Sequence, residues 1–137
     1  SSFEMMGLLK DNPKLGHIST FAGHPVIAAA AKATVTVILD QKLLAESLRK
    51  EQIIRKHLQH PAITEIRGKG LMLAALVETP DIASQIILQC LENGLILFFL
   101  LFEGSAMRIS PPLTITDEDL EKGCEIILQS INQVLKR

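Results

Sequence analysis

A chain of 137 residues carrying 14 Lys plus Arg against 15 Asp plus Glu has the length of one domain and no strong field of either sign, which argues against a binder of phosphate polymers. Apolar residues at 47% and charged ones at 21% exclude a disordered chain. The longest apolar run, Leu95 to Phe102, is far too short for a membrane helix. Neither nucleic acid nor a membrane is therefore an expected partner.

Cys90 and Cys124 form no disulfide framework and no zinc-type spacing, as expected of a reduced, cytoplasmic compartment. The mean hydropathy is +0.28, yet the chain has five Phe and no Tyr or Trp. A small domain this apolar is expected to leave part of its apolar surface for a neighbour. An opening Ser1 without methionine fits a processed product or a cut piece.

Phe3 to Leu9 is a short apolar-polar segment, and Asp11-Asn12-Pro13 with Gly16 predicts a turn and loop. A helix is expected from His24-Pro25, since proline suits the first helical position. From Val26 to Leu39 it is apolar on nearly every side, which predicts burial. It is expected to continue from Asp40 to Gln59, with Leu44, Leu48, Ile54 and Leu58 facing inward, until His60-Pro61 ends it. Ile63–Arg67 and Leu71–Val77 read as two strands around Gly68-Lys69-Gly70.

Thr79-Pro80-Asp81 predicts a helix start. Ile82, Ile86, Ile87, Cys90 and Leu91 form its stripe, and Asn93-Gly94 its left-handed cap. Leu95 to Phe102 is expected to be a strand covered on both faces, and Ala106 to Ser110 a second one. Thr116 caps the last helix, whose stripe is Leu120, Cys124, Ile127, Leu128, Ile131, Val134 and Leu135. The order is a long helix, two strands, a helix, two strands and a helix. It predicts an α+β domain whose small, largely antiparallel sheet is covered by helices on one face.

Residue chemistry offers two candidate sites. The run Gly16-His17-Ile18-Ser19-Thr20-Phe21-Ala22-Gly23 leads into a helix start, where free N–H groups and hydroxyl donors attract anions. The commoner outcome for such a hydroxyl is a helix cap. Arg108, on a strand before Ser110-Pro111-Pro112, has a guanidinium able to grip a carboxylate with two parallel hydrogen bonds, or to make a rim salt bridge of little worth. Lys69 reads as a solvated hairpin lysine and not an activated amine. His17, His24, His57 and His60 lack metal spacing, and the last two are expected to be exposed at a helix end. Cys90, Cys124 and Phe98-Phe99 read as core.

The run Leu15-Gly16-His17-Ile18-Ser19-Thr20-Phe21-Ala22-Gly23-His24-Pro25 before an alanine-rich helix resembles a segment of the class III, pyridoxal-phosphate-dependent aminotransferases, nearest the acetylornithine and ornithine branch. Glu65-Ile66-Arg67-Gly68-Lys69-Gly70-Leu71-Met72 is similar to that family's strand pair. Met107-Arg108-Ile109-Ser110-Pro111-Pro112-Leu113-Thr114-Ile115-Thr116 is similar to its last strand and the entry to its final helix. The three blocks stand in the right order, and together they cover essentially the whole chain.

The resemblance implies the C-terminal small domain of a fold-type I transaminase. Residues 1–23 would be a residual large-domain and cofactor-loop segment, and 24–137 the small domain with its connecting helix. The lysine that holds the cofactor would precede Ser1, so the chain alone is expected not to transaminate and to bind no pyridoxal phosphate by itself. The implied partners are the large domain, a second subunit, and amino-acid and 2-oxo-acid substrates. Carried over residue by residue, Thr20 binds the cofactor phosphate across the dimer interface, Ser19 faces the substrate, and Arg108 pairs with a carboxylate of the substrate or the large domain. Ala22-Gly23 stands where the family usually has Gly-Gly, and Phe98-Phe99-Leu100-Leu101 is more apolar than the family stretch, which leaves the substrate open. A free-standing, small-molecule-binding regulatory module is the alternative; it would have no need of the Gly16 to Pro25 block.

Overall fold

A computed structural model describes residues 2–10 and 19–136. The chain divides into two compact units, Ser1–Asp40 and Gln41–Arg137. The first contains α1 (Phe3–Gly7) and α2 (Pro25–Asp40). Ser2 caps α1 through its hydroxyl, which accepts from the Met5 N–H at 3.2 Å. The turn expected over Asp11–Pro13 and Gly16 lies outside the described residues. No residue of α2 is buried, contrary to expectation, and Val26, Ile27, Val35 and Leu39 are all more than half exposed. Composition states how much apolar area a helix carries and not what covers it.

The second unit begins with a break that the sequence reading missed. Where one helix was expected to run on to Gln59, α2 stops at Asp40 and α3 spans Leu43–His57. Between them Lys42 sits in the left-handed region at φ 52°, ψ 35°, and one such residue interrupts the helical ladder. The restart also changes the inward stripe. Leu43, Lys50, Glu51, Ile54 and Leu58 are buried, while Leu44 and Leu48, expected inside, are exposed. His57 and His60 are half-buried rather than exposed. His60 accepts from the Ala62 N–H on Nδ1 at 3.1 Å, and His57 lies 3.7 Å from Glu121.

The sheet comprises β1 (Glu65–Lys69), β2 (Met72–Leu76), β3 (Phe98–Phe99) and β4 (Ala106–Ile109) in the order β1-β2-β4-β3, every pair antiparallel. Gly70 opens the β1–β2 turn at φ 60° with Leu71 following at negative φ, the pattern of a type II′ hairpin. Helix α4 (Pro80–Glu92) starts at Thr79, whose hydroxyl accepts from the Ile82 N–H at 3.2 Å, and ends before Gly94 at φ 88°. Helix α5 (Asp117–Leu135) is capped by Thr116, with three acids in its first turn. The helix-end signals work as the sequence predicts, whereas Gly68 and Lys69, expected in the turn, extend β1, and Leu91 and Leu135 of the two expected stripes are exposed.

Helix α5 packs between α3 and α4, and the three cover one face of the sheet. Leu73, Ala75, Met107 and Ile109 on that face close the core with Ile54, Ile86, Cys90, Ile127 and Ile131. The expected long strand over 95–102 shrinks to the two residues of β3. As the outermost strand, β3 pairs only with β4, through Phe98↔Arg108 and Phe99↔Met107. Phe98 and Phe99 are consequently 52% and 60% exposed and not core. An edge strand lacks the second neighbour that a continuous apolar run suggests.

Candidate functional site

The first candidate lies in the Ser1–Asp40 unit. Ser19 and Thr20 are exposed on the turn that leads into α2. The turn is held by backbone hydrogen bonds from Ala22 N–H to Ser19 O at 3.3 Å and from His24 N–H to Phe21 O at 3.1 Å, with Gly23 at φ 72°. Neither hydroxyl caps the helix. That role falls to His24, whose Nδ1 accepts from the Val26 N–H at 3.3 Å and whose ring meets Phe21 edge-on at 6.4 Å. Among the described residues, the Ser19 and Thr20 hydroxyls make no hydrogen bond, and α2 has no acid in its first turn to compete for its N–H groups.

The second candidate lies in the Gln41–Arg137 unit, on the sheet face that the helices leave open. Register places Arg67, Ala74, Arg108 and Phe98 in one row across all four strands, and residues directly opposite each other share a face. Arg67 is already engaged, 2.8 Å from Glu65 and 3.8 Å from Glu103. The hydrogen bond from the Ser105 hydroxyl holds the Glu103 carboxyl below the usual range, and Arg67 adds to this. Arg108 is different. Its guanidinium carbon lies 4.9 Å from the centre of the Phe98 ring, and no ion pair ties it to the described residues. Among the described residues Arg108 thus makes no rim salt bridge. Sequence reasoning missed Phe98, because the partner of Arg108 is set by strand register, which composition does not reveal.

Phe98 and Arg108 also line an apolar groove of about 470 Å³, together with the residues before β3, the Pro111-Pro112 segment, part of α5 and Ile54. Lys69 is exposed at the hairpin, as expected, and Cys90 and Cys124 are buried. No group of His, Cys or acidic residues among the described residues could hold a metal ion, and no described helix is long and apolar enough to cross a membrane.

A four-stranded antiparallel sheet with helices on one face matches the small domain of fold-type I, pyridoxal-phosphate-dependent transaminases. The ornithine aminotransferase from Toxoplasma gondii superposes with a TM-score of 0.78 at 34% identity, over 92% of this chain and 31% of that one. The acetylornithine aminotransferase from Elizabethkingia anophelis does so with a TM-score of 0.74 at 34% identity, over 85% of this chain and 31% of that one. The Aminotransferase class-III family model matches residues 4–131, and the chain belongs to that family.

An acetylornithine aminotransferase of Haemophilus ducreyi is 37% identical over 119 residues, which are 86% of this chain and 29% of that protein. An alanine/serine racemase of Pyrococcus horikoshii is 35% identical over 127 residues, 85% of this chain and 27% of that protein. The chain thus spans less than a third of the length of these relatives.

Proposed function

We propose that this chain is the C-terminal small domain of an aminotransferase that moves an amino group between N-acetylornithine, ornithine or another ω-amino compound and a 2-oxo acid such as 2-oxoglutarate. The observation that carries this reading is the family match across residues 4–131, joined to 37% identity with an acetylornithine aminotransferase. That match spans the Gly16 to Pro25 block, which a free-standing regulatory module would not need. In this reading residues 1–23 belong to the large-domain and cofactor-loop segment, and 24–137 form the small domain with its connecting helix. The reactive lysine lies in the remainder of the enzyme, which works as a cytoplasmic homodimer, and this chain alone neither binds the cofactor nor transaminates.

The donor set on the α2 turn suits a phosphate: two exposed hydroxyls without partners among the described residues, and a helix start without acids. Thr20 would donate its hydroxyl to the phosphate of pyridoxal phosphate held by the partner subunit. Ser19, beside it, would meet the substrate. The cofactor, when bound, supplies the electron sink for bond breaking at the amine-bearing carbon. Arg108 contributes orientation by holding a carboxylate through two parallel N–H donors, a geometry that a lysine ammonium cannot reproduce.

Two measurements on the complete enzyme test this. Thr20→Ala should weaken cofactor binding by about 1–3 kcal/mol, the loss of one hydrogen bond to a charged group; unchanged affinity removes Thr20 from the site. Incubation with N-acetylornithine and 2-oxoglutarate should yield glutamate. Conversion of L-alanine to D-alanine without any amino transfer would instead favour racemisation, the activity in the name of one 35%-identical relative.

A further inference from the structure

The geometry points to Phe98 as the residue that positions the Arg108 guanidinium for an incoming carboxylate; this rests on the carboxylate-binding reading of Arg108. The pair is fixed by the backbone before any side chain is considered. Phe98 and Arg108 are direct cross-strand partners in the β3–β4 ladder, so both side chains rise from the open sheet face at the separation at which such pairs interact. The guanidinium carbon stands 4.9 Å from the ring centroid, within the range over which the negative face of an aromatic ring attracts a cation.

The surroundings show why the stack matters. An exposed arginine samples many rotamers, and fixing them at the moment of binding costs affinity. Arg67, in the same row, is steadied by two carboxylates at 2.8 and 3.8 Å. Arg108 has no such acid among the described residues, and an acid there would occupy the donors that a substrate needs. A ring steadies the cation through its flat face and leaves the N–H edge open. The neighbour on the other side is Ala74, whose methyl group leaves room for a ligand beside the guanidinium. This role also accounts for a large apolar side chain that remains 52% exposed on an edge strand, where solubility favours a polar one.

The test is made in the holoenzyme that contains this segment, with glutarate, an unreactive dicarboxylate, as the binding probe and the KM for 2-oxoglutarate as the kinetic readout. Phe98→Leu should raise both constants about two- to fivefold, the range of an exposed cation–π contact, with kcat little changed. Phe98→Trp should restore the parent values, because indole is the best ring for this contact. In an Arg108→Gln background, which by itself weakens glutarate binding, Phe98→Leu should have no further effect.

Parent-like glutarate affinity in Phe98→Leu, with a clear loss in Arg108→Gln, overturns the role of Phe98 and leaves that of Arg108 standing. Parent-like affinity in Arg108→Gln overturns the reading of Arg108, and this inference with it. An equal loss from Phe98→Leu in both backgrounds marks a general structural effect and also overturns the inference.

Discussion

The carboxylate of Glu51, on α3, accepts a 2.6 Å hydrogen bond from the backbone N–H of Gly70, at the tip of the β1–β2 hairpin. Arg55 completes the brace: it lies 2.8 Å from the second oxygen of Glu51 and donates to the carbonyls of Ile66 and Gly68 at 2.7 and 3.0 Å. One helix turn thus holds β1 and the tip of the hairpin that presents Arg67 and Lys69. Both Glu51 and Lys50 are buried, yet each has a partner, Lys50 donating to the Leu113 carbonyl at 3.0 Å. Buried charge is tolerated when it is paired in this way.

The brace makes stability depend on pH with a definite sign. The Gly70 N–H, and next to it Arg55, hold the Glu51 carboxyl below its ordinary value of 4.5. A group with a lowered value contributes fully above the ordinary value and loses that contribution as pH falls through the lowered one. Glu51→Gln should therefore unfold at lower urea than the parent at neutral pH. The gap should close on acidification below 4.5. A gap that is independent of pH would assign the effect to packing.

Gly68 has both a backbone and a steric reason to be glycine. It lies at φ 106°, and an added Cβ would overlap the carbonyl oxygen of Met72 on the paired strand. Rigid backbone, and not a side chain that can swing away, stands in that space. Gly68→Ala should cost more than the roughly 1–3 kcal/mol of one enforced backbone outlier, because the overlap with the Met72 carbonyl oxygen adds to it, as read from urea unfolding. Gly94→Ala is the comparison: it has a positive φ of 88° but nothing within 4 Å, so its smaller loss isolates the conformational part.

Lys42 presents the opposite case. A side chain stands at φ 52° where glycine or asparagine is at ease. Lys42→Asn should stabilise the chain by about 0.5–1 kcal/mol, because asparagine relieves the strain without the unfolded-state freedom that glycine adds. Lys42→Val should destabilise it, since β-branching worsens the same clash. Thermal unfolding of the pair decides the matter, and two equal melting temperatures would show that the residue is unstrained.

This position also shows where the sequence stops speaking. Thr79, Asn93-Gly94 and Thr116 mark helix ends through contacts within a few residues, so their chemistry is legible in a linear string. The hairpin is legible for the same reason, although Gly68 and Lys69, expected in the turn, extend β1 and the turn falls on Gly70-Leu71. Asp40-Gln41-Lys42 carries no such mark, for Gln and Lys are good helix formers, and only tertiary demand turns Leu43 inward. Whether 95–102 becomes a central strand or a short edge depends on strand order, which no local pattern encodes. Among the candidate residues of the two units, Ser19, Thr20 and Arg108 stand out by their motifs, whereas the stack of Phe98 on Arg108 requires the register of two strands.

The two thiols should be inert in the folded chain. Burial pushes the Cys90 thiol up and the Cys124 thiol to about 11, the latter helped by Glu121 and Glu125. Thiolate is the reactive form, so at mildly alkaline pH both should resist a disulfide reagent and should react together once urea unfolds the chain. Rapid modification of either under native conditions would contradict the closed packing of α4 against α5.

The apolar surface should reveal itself as association. Phe99, Leu101 and Phe102 are 60%, 83% and 101% exposed, close in sequence to Ile96 at 70%. Apolar surface of this extent is rarely left in water by a monomer, so sedimentation of the chain should show mass increasing with concentration. Leu101→Glu with Phe102→Glu should lower that tendency. Neither side chain belongs to the core, so the unfolding free energy should stay within about 0.5 kcal/mol of the parent. A loss of several kcal/mol would mean that these residues pack in the folded chain, and an undiminished mass would move the associating surface to the exposed aliphatics of α2.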